Sequence, residues 1–401
     1  MQRKHKIPFV LPVLSDRLEP VVTIAMPRNN AFAHQRYSPE KPTTIWHLVQ
    51  PSEPSVAGSV EYQQQMASVG QAYRTAGVRA IWLIHGTFAG DDALGLVRVW
   101  ERIAPGMGRR LRQLNKNLFD RLAQDSGNYT AEYAAEFQRA TGIPVERVAW
   151  SSENHHLARA YAAICLLDRL VETGWGEDDR VLLWGHSHAG NVFALLTNLL
   201  AAASVPRESF FQAVRCYLQR WLGGLDKPVW ERVRRWLETP GAGRRIPQLD
   251  LVTWGTPIRY GWDTGGYAKL LHFIYHRPRS GISEHLTALP GSVEDWLHAT
   301  DGDYLQQLGI AGTNLAPAVF SLPAWLADWR LGRLLQPGIR RRDLLRRLKI
   351  GQRVPHEGET LLVEYPDGPV ARQLAGHAIY TRSSWLPYHA IEVARRFYGG
   401  E

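Results

Sequence analysis

The stretch Leu182-Leu183-Trp184-Gly185-His186-Ser187-His188-Ala189-Gly190-Asn191-Val192 decides the fold of this chain. The run from Arg180 to Trp184, which leads into this stretch and is apolar after Arg180, predicts a buried strand. A helix is expected from Gly190 to about Ala203. A strand that passes through a tight turn directly into a helix, with serine at the apex, is typical of a turn that presents a nucleophilic serine. The alternative interpretation is a glycine-serine turn without a chemical role.

The spacing of small residues around this serine departs from the usual pattern G-x-S-x-G. The backbone at such an apex is strained, so the residues two positions away on either side must be small. Gly185 meets this requirement before Ser187, whereas Ala189 follows it and the glycine comes only at Gly190. Alanine is still small, so Ser187 is the candidate nucleophile on a weaker motif.

The sequence on both sides of this stretch alternates short apolar runs with helical patterns. This alternation predicts an α/β fold with a mostly parallel central sheet flanked by helices. The predicted strands cover Val78–Ile84, Pro144–Trp150, Arg180–Trp184, Leu249–Trp254, Leu270–Tyr275 and Leu361–Tyr365. The predicted helices cover about His156–Glu172, Gly190–Ala203 and Pro387–Tyr398.

Three segments fall outside the alternation. Residues 1–75 are rich in proline and are interpreted as an N-terminal extension. Residues 76–401 are expected to form one α/β domain with two insertions, at 207–248 and 315–356. Each insertion contains tryptophans and arginines in helical patterns.

Composition excludes several classes of protein. Two cysteines cannot build a disulfide framework. No segment reaches the roughly 20 apolar residues that a membrane span needs. The basic start and the short apolar run after it are interpreted as a strand or an ordered arm rather than a signal peptide. The net charge is +9, and nine lysines or arginines against two acidic residues lie between Leu322 and Arg353. Such a basic segment fits a nucleic acid, an anionic membrane or a solvated surface.

A second motif follows the strand Val78–Ile84, in the sequence His85-Gly86-Thr87-Phe88-Ala89-Gly90. Glycines at the end of a strand let the backbone approach a reacting carbonyl group. The backbone N–H groups of Thr87 and His188 are therefore candidate donors to an oxyanion. The alternative is a glycine-rich turn capped by Asp91 or Asp92.

Metal and cofactor motifs are missing from the sequence. There is no HExxH, no pair of cysteines at metal-binding spacing and no phosphate-binding loop. His272 and His276 are four residues apart on a predicted strand, which is a weak signal. No metal and no cofactor are expected.

The serine turn, the His-Gly loop and the stretch Thr253-x-Gly255-Thr256-Pro257 together resemble the α/β-hydrolase superfamily, and are most similar to bacterial lipases and esterases. The resemblance implies that 207–248 is a cap or lid. For the Trp-containing helices of both insertions, two interpretations stay open. They lie in a membrane interface, or they pack on the core with their arginines in solvent.

The resemblance also implies where the partners of Ser187 lie. In this fold class the base follows the last strand, which favours His377, with His389 as the alternative. The acid follows the strand before that one. Asp303 is favoured there, Asp301 is the next candidate, and Asp263 is a more distant one. The order Ser187, Asp303, His377 is the order expected of the class.

We therefore expect a serine esterase or lipase-like hydrolase with a catalytic triad, an oxyanion hole and a lid. It would cleave a carboxylic ester, either a lipid or another acyl ester, through an acyl-enzyme. Thioester or amide hydrolysis by the same residues, or a non-catalytic binding module of the same fold, are the alternatives. We expect a cytoplasmic location or peripheral contact with an anionic membrane, export without a signal peptide stays open, and nucleic-acid binding is not expected.

Overall fold

In the computed structural model, the described residues are 32, 44–52, 56–86, 128–176, 178–218, 227–239, 241, 246–288, 295, 298–311, 321–337, 351–366 and 376–399. The seven described strands are β1 Trp46–Val49, β2 Val78–Ile84, β3 Val145–Val148, β4 Arg180–His186, β5 Gln248–Trp254, β6 Lys269–Tyr275 and β7 Glu359–Val363. The described α-helices are α1 Val60–Thr75, α2 Ala131–Thr141, α3 His156–Glu172, α4 Ala189–Ala201, α5 Ser204–Leu218, α6 Lys227–Glu238, α7 Tyr304–Ala311, α8 Leu322–Leu335 and α9 Leu386–Tyr398.

The seven strands form one sheet in the order β1-β7-β6-β5-β4-β2-β3, and all six pairings are parallel. The predicted α/β class with a central parallel sheet and flanking helices is therefore confirmed. Parallel sheets are buried on both faces, which explains why the strands read as nearly continuous apolar runs. The sequence patterns also placed β2 and α3 with the bounds that the structure has.

Alternate side chains of the strands enter two separate cores. On one face, Leu183 and Leu251 pack with helices α3, α4, α5, α6 and α8. On the other face, Trp184 and Trp254 pack with helices α1, α2 and α9. The molecule therefore has three layers, with the sheet in the middle.

The path of the chain through the sheet reverses beside β2. The connection from β2 leads to β3 on one side, whereas β4 lies on the other side and β5, β6 and β7 continue away from it. In open α/β sheets, ligands bind outside the carboxyl ends of the strands at such a reversal. The loops that follow β2 and β4, at His85-Gly86 and Ser187-His188, meet at this position.

The segments outside the predicted alternation contribute to the same layers. Strand β1, which lies within residues 1–75, pairs in parallel with β7 at the edge of the sheet. Helices α5 and α6 of the first insertion bury Phe210 and Trp230 in the core of their face. Helix α8 of the second insertion packs on α3 and α5. None of the helices that the structure describes is long and apolar enough to cross a bilayer.

Candidate active site

Ser187 occupies the turn between β4 and α4 in a left-handed conformation, with φ of 55°. Positive φ is uncommon for a residue other than glycine and is a sign of local strain. Two hydrogen bonds join the turn to the end of β5 and the loop after it. Ser187 N donates to the carbonyl oxygen of Trp254 at 2.7 Å, and Thr256 Oγ1 donates to the carbonyl oxygen of Ser187 at 2.8 Å.

The small residues around the turn are required by close contacts. A Cβ atom built on Gly185 would lie 2.5 Å from the ring of Phe193, and one built on Gly190 would lie 2.2 Å from Thr256 Oγ1. Ala189 is fully buried, and its methyl group fits because Gly185 has no side chain of its own. In this chain the glycine after the serine is therefore required at position 190 and not at 189. Position 190 is where the helix contacts the loop after β5.

The His-Gly loop passes directly beside the serine. A Cβ atom built on Gly86 would lie 2.7 Å from the Cβ of Ser187 and 3.3 Å from its Oγ. Trp150 fixes His85, the residue before Gly86, because the Trp150 indole N–H donates to the carbonyl oxygen of His85 at 2.9 Å. Thr87, the first candidate oxyanion donor, lies outside the described residues.

His188, the second candidate donor, stands at the beginning of α4. Its backbone N–H makes no hydrogen bond within the described part of the chain. It can therefore donate to an anionic oxygen at the positive end of the helix dipole. Its ring lies 3.1 Å from the amide nitrogen of Asn191. Burial lowers the pKa of this ring well below its ordinary value, and the charges of Arg159 and Arg259 lower it further, so the ring stays neutral.

The structure brings Asp303 and His377 together. Asp303 Oδ2 lies 2.7 Å from His377 Nδ1, and both side chains are buried. Since a carboxylate only accepts hydrogen bonds, His377 Nδ1 donates to Asp303 Oδ2. Burial by itself would raise the pKa of Asp303, but the charge of His377, its hydrogen bond and the N–H of Gln306 outweigh burial and lower that pKa.

Two further groups hold the Asp303 carboxylate and were not foreseen from the sequence. Tyr380 Oη donates to Oδ2 at 2.9 Å, while Gln306 N donates to Oδ1 at 2.9 Å. The backbone N–H of Tyr275 donates to the same Tyr380 hydroxyl at 2.7 Å. A tyrosine three residues after a candidate histidine carries no recognisable signal, because only the fold turns it toward the acid.

The alternative partners lie elsewhere. His389 is fully buried in α9, where its Nε2 meets the hydroxyl of Tyr365 at 2.7 Å. Burial lowers the pKa of His389 well below its ordinary value. Asp301 accepts a hydrogen bond from Tyr304 Oη at 2.8 Å, and Asp263 accepts one from the N–H of Gly265. These three residues therefore have structural partners of their own.

His377 approaches the serine turn from the side of His186. The two histidine rings lie 4.6 Å apart between centroids, and His186 Nε2 meets the carbonyl oxygen of His377 at 3.1 Å. Among the described residues, no hydrogen bond joins Ser187 Oγ to the ring of His377. Bonds of this kind are often long before substrate binds. The three side chains thus share one edge of the sheet, with Asp303 and His377 already paired.

A buried polar group lines the neighbouring part of this edge. Tyr260 Oη lies 2.6 Å from His156 Nδ1 and accepts a hydrogen bond from Arg159 Nε at 3.0 Å. Asp328 of α8 accepts from the N–H of Leu157 at 2.9 Å, at the beginning of α3. The sequence analysis assigned no role to these residues. Among the described residues, no group of three or more His, Cys, Asp or Glu is arranged to hold a metal ion.

Comparisons of this chain with protein-family models, with curated proteins and with solved structures found no match. The functional argument therefore depends on the geometry of the site itself.

Proposed function

We propose that this protein is a serine hydrolase of the α/β-hydrolase class, in which Ser187, His377 and Asp303 cleave a carboxylic ester. The observation that carries the proposal is the 2.7 Å contact between Asp303 and His377, which joins two loops at the sheet edge where Ser187 stands strained. Packing alone gives no reason to place a buried carboxylate–imidazole pair at the edge of the sheet that carries the strained serine.

The topology supports the same assignment. The serine follows β4, one of the two strands at the reversal of the chain, and the His-Gly loop follows the other, β2. The acid comes after β6 and the histidine after β7, so the order along the chain is serine, aspartate, histidine, as in α/β-hydrolases. Strand β1, beyond β7, is an addition at the far edge.

The chemistry follows from the pairing of Asp303 with His377. Ser187 Oγ attacks the carbonyl carbon, and its proton passes to His377 Nε2. Asp303 holds Nδ1–H and stabilises the imidazolium that forms. The N–H groups of His188 and Thr87 receive the developing oxyanion. The histidine then protonates the leaving alcohol, and water hydrolyses the acyl-enzyme by the same route.

Ester hydrolysis, with a lipid or another acyl ester as substrate, is the activity that the likeness to lipases and esterases favours. Thioester and amide hydrolysis use the same groups, so they are the second candidate. A non-catalytic binding module would not need the Asp303–His377 pair at the sheet edge where Ser187 is strained. Turnover measured on ester, thioester and amide analogues with the same acyl group ranks these substrate classes.

The test is covalent labelling with a fluorophosphonate, which reacts with an activated serine. Wild type should be labelled, and Ser187→Ala should lose both labelling and ester hydrolysis by about 10³-fold or more. Ser152→Ala is the matched control, because Ser152 also has φ of 55°, is fully buried and follows a parallel strand. Equal labelling of wild type and Ser187→Ala would overturn the proposal.

A further inference from the structure

Helix α8 exposes a stripe of large apolar side chains. Leu322, Trp325 and Trp329 are 74%, 53% and 45% exposed, and their spacing of three and four residues places them on one face of the helix. Contiguous exposed apolar surface on a protein usually marks an interaction site. We call Leu322, Trp325, Trp329, Arg330 and Arg333 the tryptophan face.

The opposite side of α8 is firmly anchored, so the exposure of the tryptophan face is not a sign of poor packing. Ala327 and Leu331 are fully buried in the core of that side of the sheet. Asp328, on the same buried side, accepts a hydrogen bond from the beginning of α3. The orientation of the helix is thus fixed by its buried side.

The charge of the tryptophan face is positive. The one acidic residue of α8, Asp328, is buried on the other side, while Arg330 and Arg333 are partly exposed. The guanidinium of Arg333 lies over the ring of Trp329, 5.1 Å from its centroid. The sequence from Leu322 to Arg353 has nine basic and two acidic residues, so the whole neighbourhood in the chain is cationic.

This composition fits one partner better than the others. Tryptophan and arginine together favour the boundary between lipid head groups and acyl chains, and each basic residue adds attraction to an anionic leaflet. A second copy of the chain meeting the face symmetrically would bring arginines against arginines. A nucleic acid would use the arginines but would leave the apolar stripe of the tryptophan face without a partner.

Helix α8 also adjoins the candidate active site. A Cβ atom built on Gly332 would lie 3.1 Å from His156 Nε2, and His156 contacts Tyr260. Gln336, directly after the helix, donates to the carbonyl oxygen of Arg259 at 2.9 Å. Residues 257–260 follow β5, and Pro257 accepts a hydrogen bond from Asn191 of α4, the helix that begins just after Ser187.

We propose that the tryptophan face docks on the surface of an anionic lipid bilayer and so holds the Ser187 edge of the sheet at the membrane. The docking itself is independent of catalysis. The further consequence, that the bilayer supplies the acyl ester, rests on the proposed function.

The experiment is co-sedimentation of the full chain with vesicles of phosphatidylcholine, with and without phosphatidylglycerol. Wild type should bind the anionic vesicles and bind the neutral ones much more weakly. The double variant Trp325→Ser/Trp329→Ser should bind anionic vesicles about tenfold less or weaker still, because the inserting rings are gone. Arg330→Gln/Arg333→Gln should reduce the preference for anionic over neutral vesicles. It should also make binding to anionic vesicles less sensitive to high salt.

The matched control is Ile45→Ser/Val60→Ser, which removes two side chains that are more exposed than the tryptophans but belong to the β1 and α1 region. It should bind like wild type. Three results would each overturn the proposal. They are equal binding to neutral and anionic vesicles, unchanged binding of the tryptophan variant, and a wild-type dimer in ultracentrifugation that becomes a monomer in this variant.

Ser187→Ala separates the two proposals. It should bind anionic vesicles like wild type while it loses ester hydrolysis. If it keeps hydrolysis but wild type still docks through the tryptophan face, the catalytic proposal fails and the docking proposal stands. If neither wild type nor Ser187→Ala binds vesicles and only the variant loses hydrolysis, the docking proposal fails and the catalytic proposal stands.

Discussion

Gly255 shows how closely the site is packed around single atoms. It has φ of 55°, and a Cβ atom built on it would lie 2.6 Å from Asp303 Oδ2 and 2.5 Å from the ring of Tyr380. The adjacent Thr256 holds the carbonyl of Ser187. The stretch Thr-x-Gly-Thr-Pro therefore joins the acid and the serine turn physically, and its glycine is needed for both space and conformation.

Gly255→Ala should displace the carboxylate of Asp303 and lower the rate of ester hydrolysis by about tenfold or more. It should also lower the free energy of unfolding by about 2–4 kcal/mol, because backbone strain and overpacking add. Gly174→Ala is the control, since Gly174 also has a positive φ but no atom near its Cβ position. Urea unfolding and hydrolysis rates check both variants, and equal losses in the two would contradict this account.

The turn between β4 and α4 acts together with the loop after β5. Its stability comes from the contact of Gly190 with Thr256, and from the two hydrogen bonds that tie Ser187 to Trp254 and Thr256. Ala189, the departure from the usual pattern, lies at the first position of the helix and makes no demand for glycine. The two small residues after the serine are therefore not equivalent.

Ala189→Gly should keep hydrolysis within a few fold of wild type and cost about 0.5–1 kcal/mol of unfolding free energy, which is the ordinary effect of glycine in a helix. Gly190→Ala should instead push Thr256 away from Ser187 and remove most of the activity. Initial rates on one ester substrate, with thermal unfolding of each variant, measure both. An active Gly190→Ala variant would show that the contact with Thr256 is dispensable.

At the scale of the whole molecule, several of the described histidines are buried with a lowered pKa. Burial is the largest cause of the lowered pKa in each case, and it lowers the pKa of His272 and His156 to about 3. Within the described part of the chain, this class contains His156, His188, His272, His276 and His389. His155 is different, because hydrogen bonds with Asp328 and Glu153 raise its pKa against the effect of burial.

The protein should therefore lose stability as the pH falls. In the unfolded chain a histidine takes up its proton near pH 6.5, whereas a depressed pKa keeps the folded ring neutral until about pH 3. The unfolded state then binds more protons in that range, so each such histidine should cost about 1 kcal/mol between pH 7 and 5.5. The raised pKa of His155 acts in the opposite sense.

Urea unfolding at pH 7.5 and 5.5 tests this prediction, and His272→Gln should reduce the difference between the two conditions by about 1 kcal/mol. A free energy of unfolding that is the same at both pH values would contradict it.

The sequence by itself determined six of the seven described strands and their order along the chain, because periodicity is a local property. It located β2 and α3 with the bounds of the structure and singled out the serine turn, whose signal is a strand, a serine and a helix in succession. It did not find β1, a strand of four half-exposed residues in a proline-rich segment, because its pairing with β7 involves residues more than 300 positions away.

Only the tertiary structure decided which acid and which histidine meet. Asp301 and Asp303 are two residues apart in one loop, and their local sequence does not say which side chain faces His377. That direction is set by the bridge between Gly302 and His276, by the donor Tyr380 and by the space at Gly255. All three contacts are long-range, and long-range packing has no signature in a short stretch of sequence.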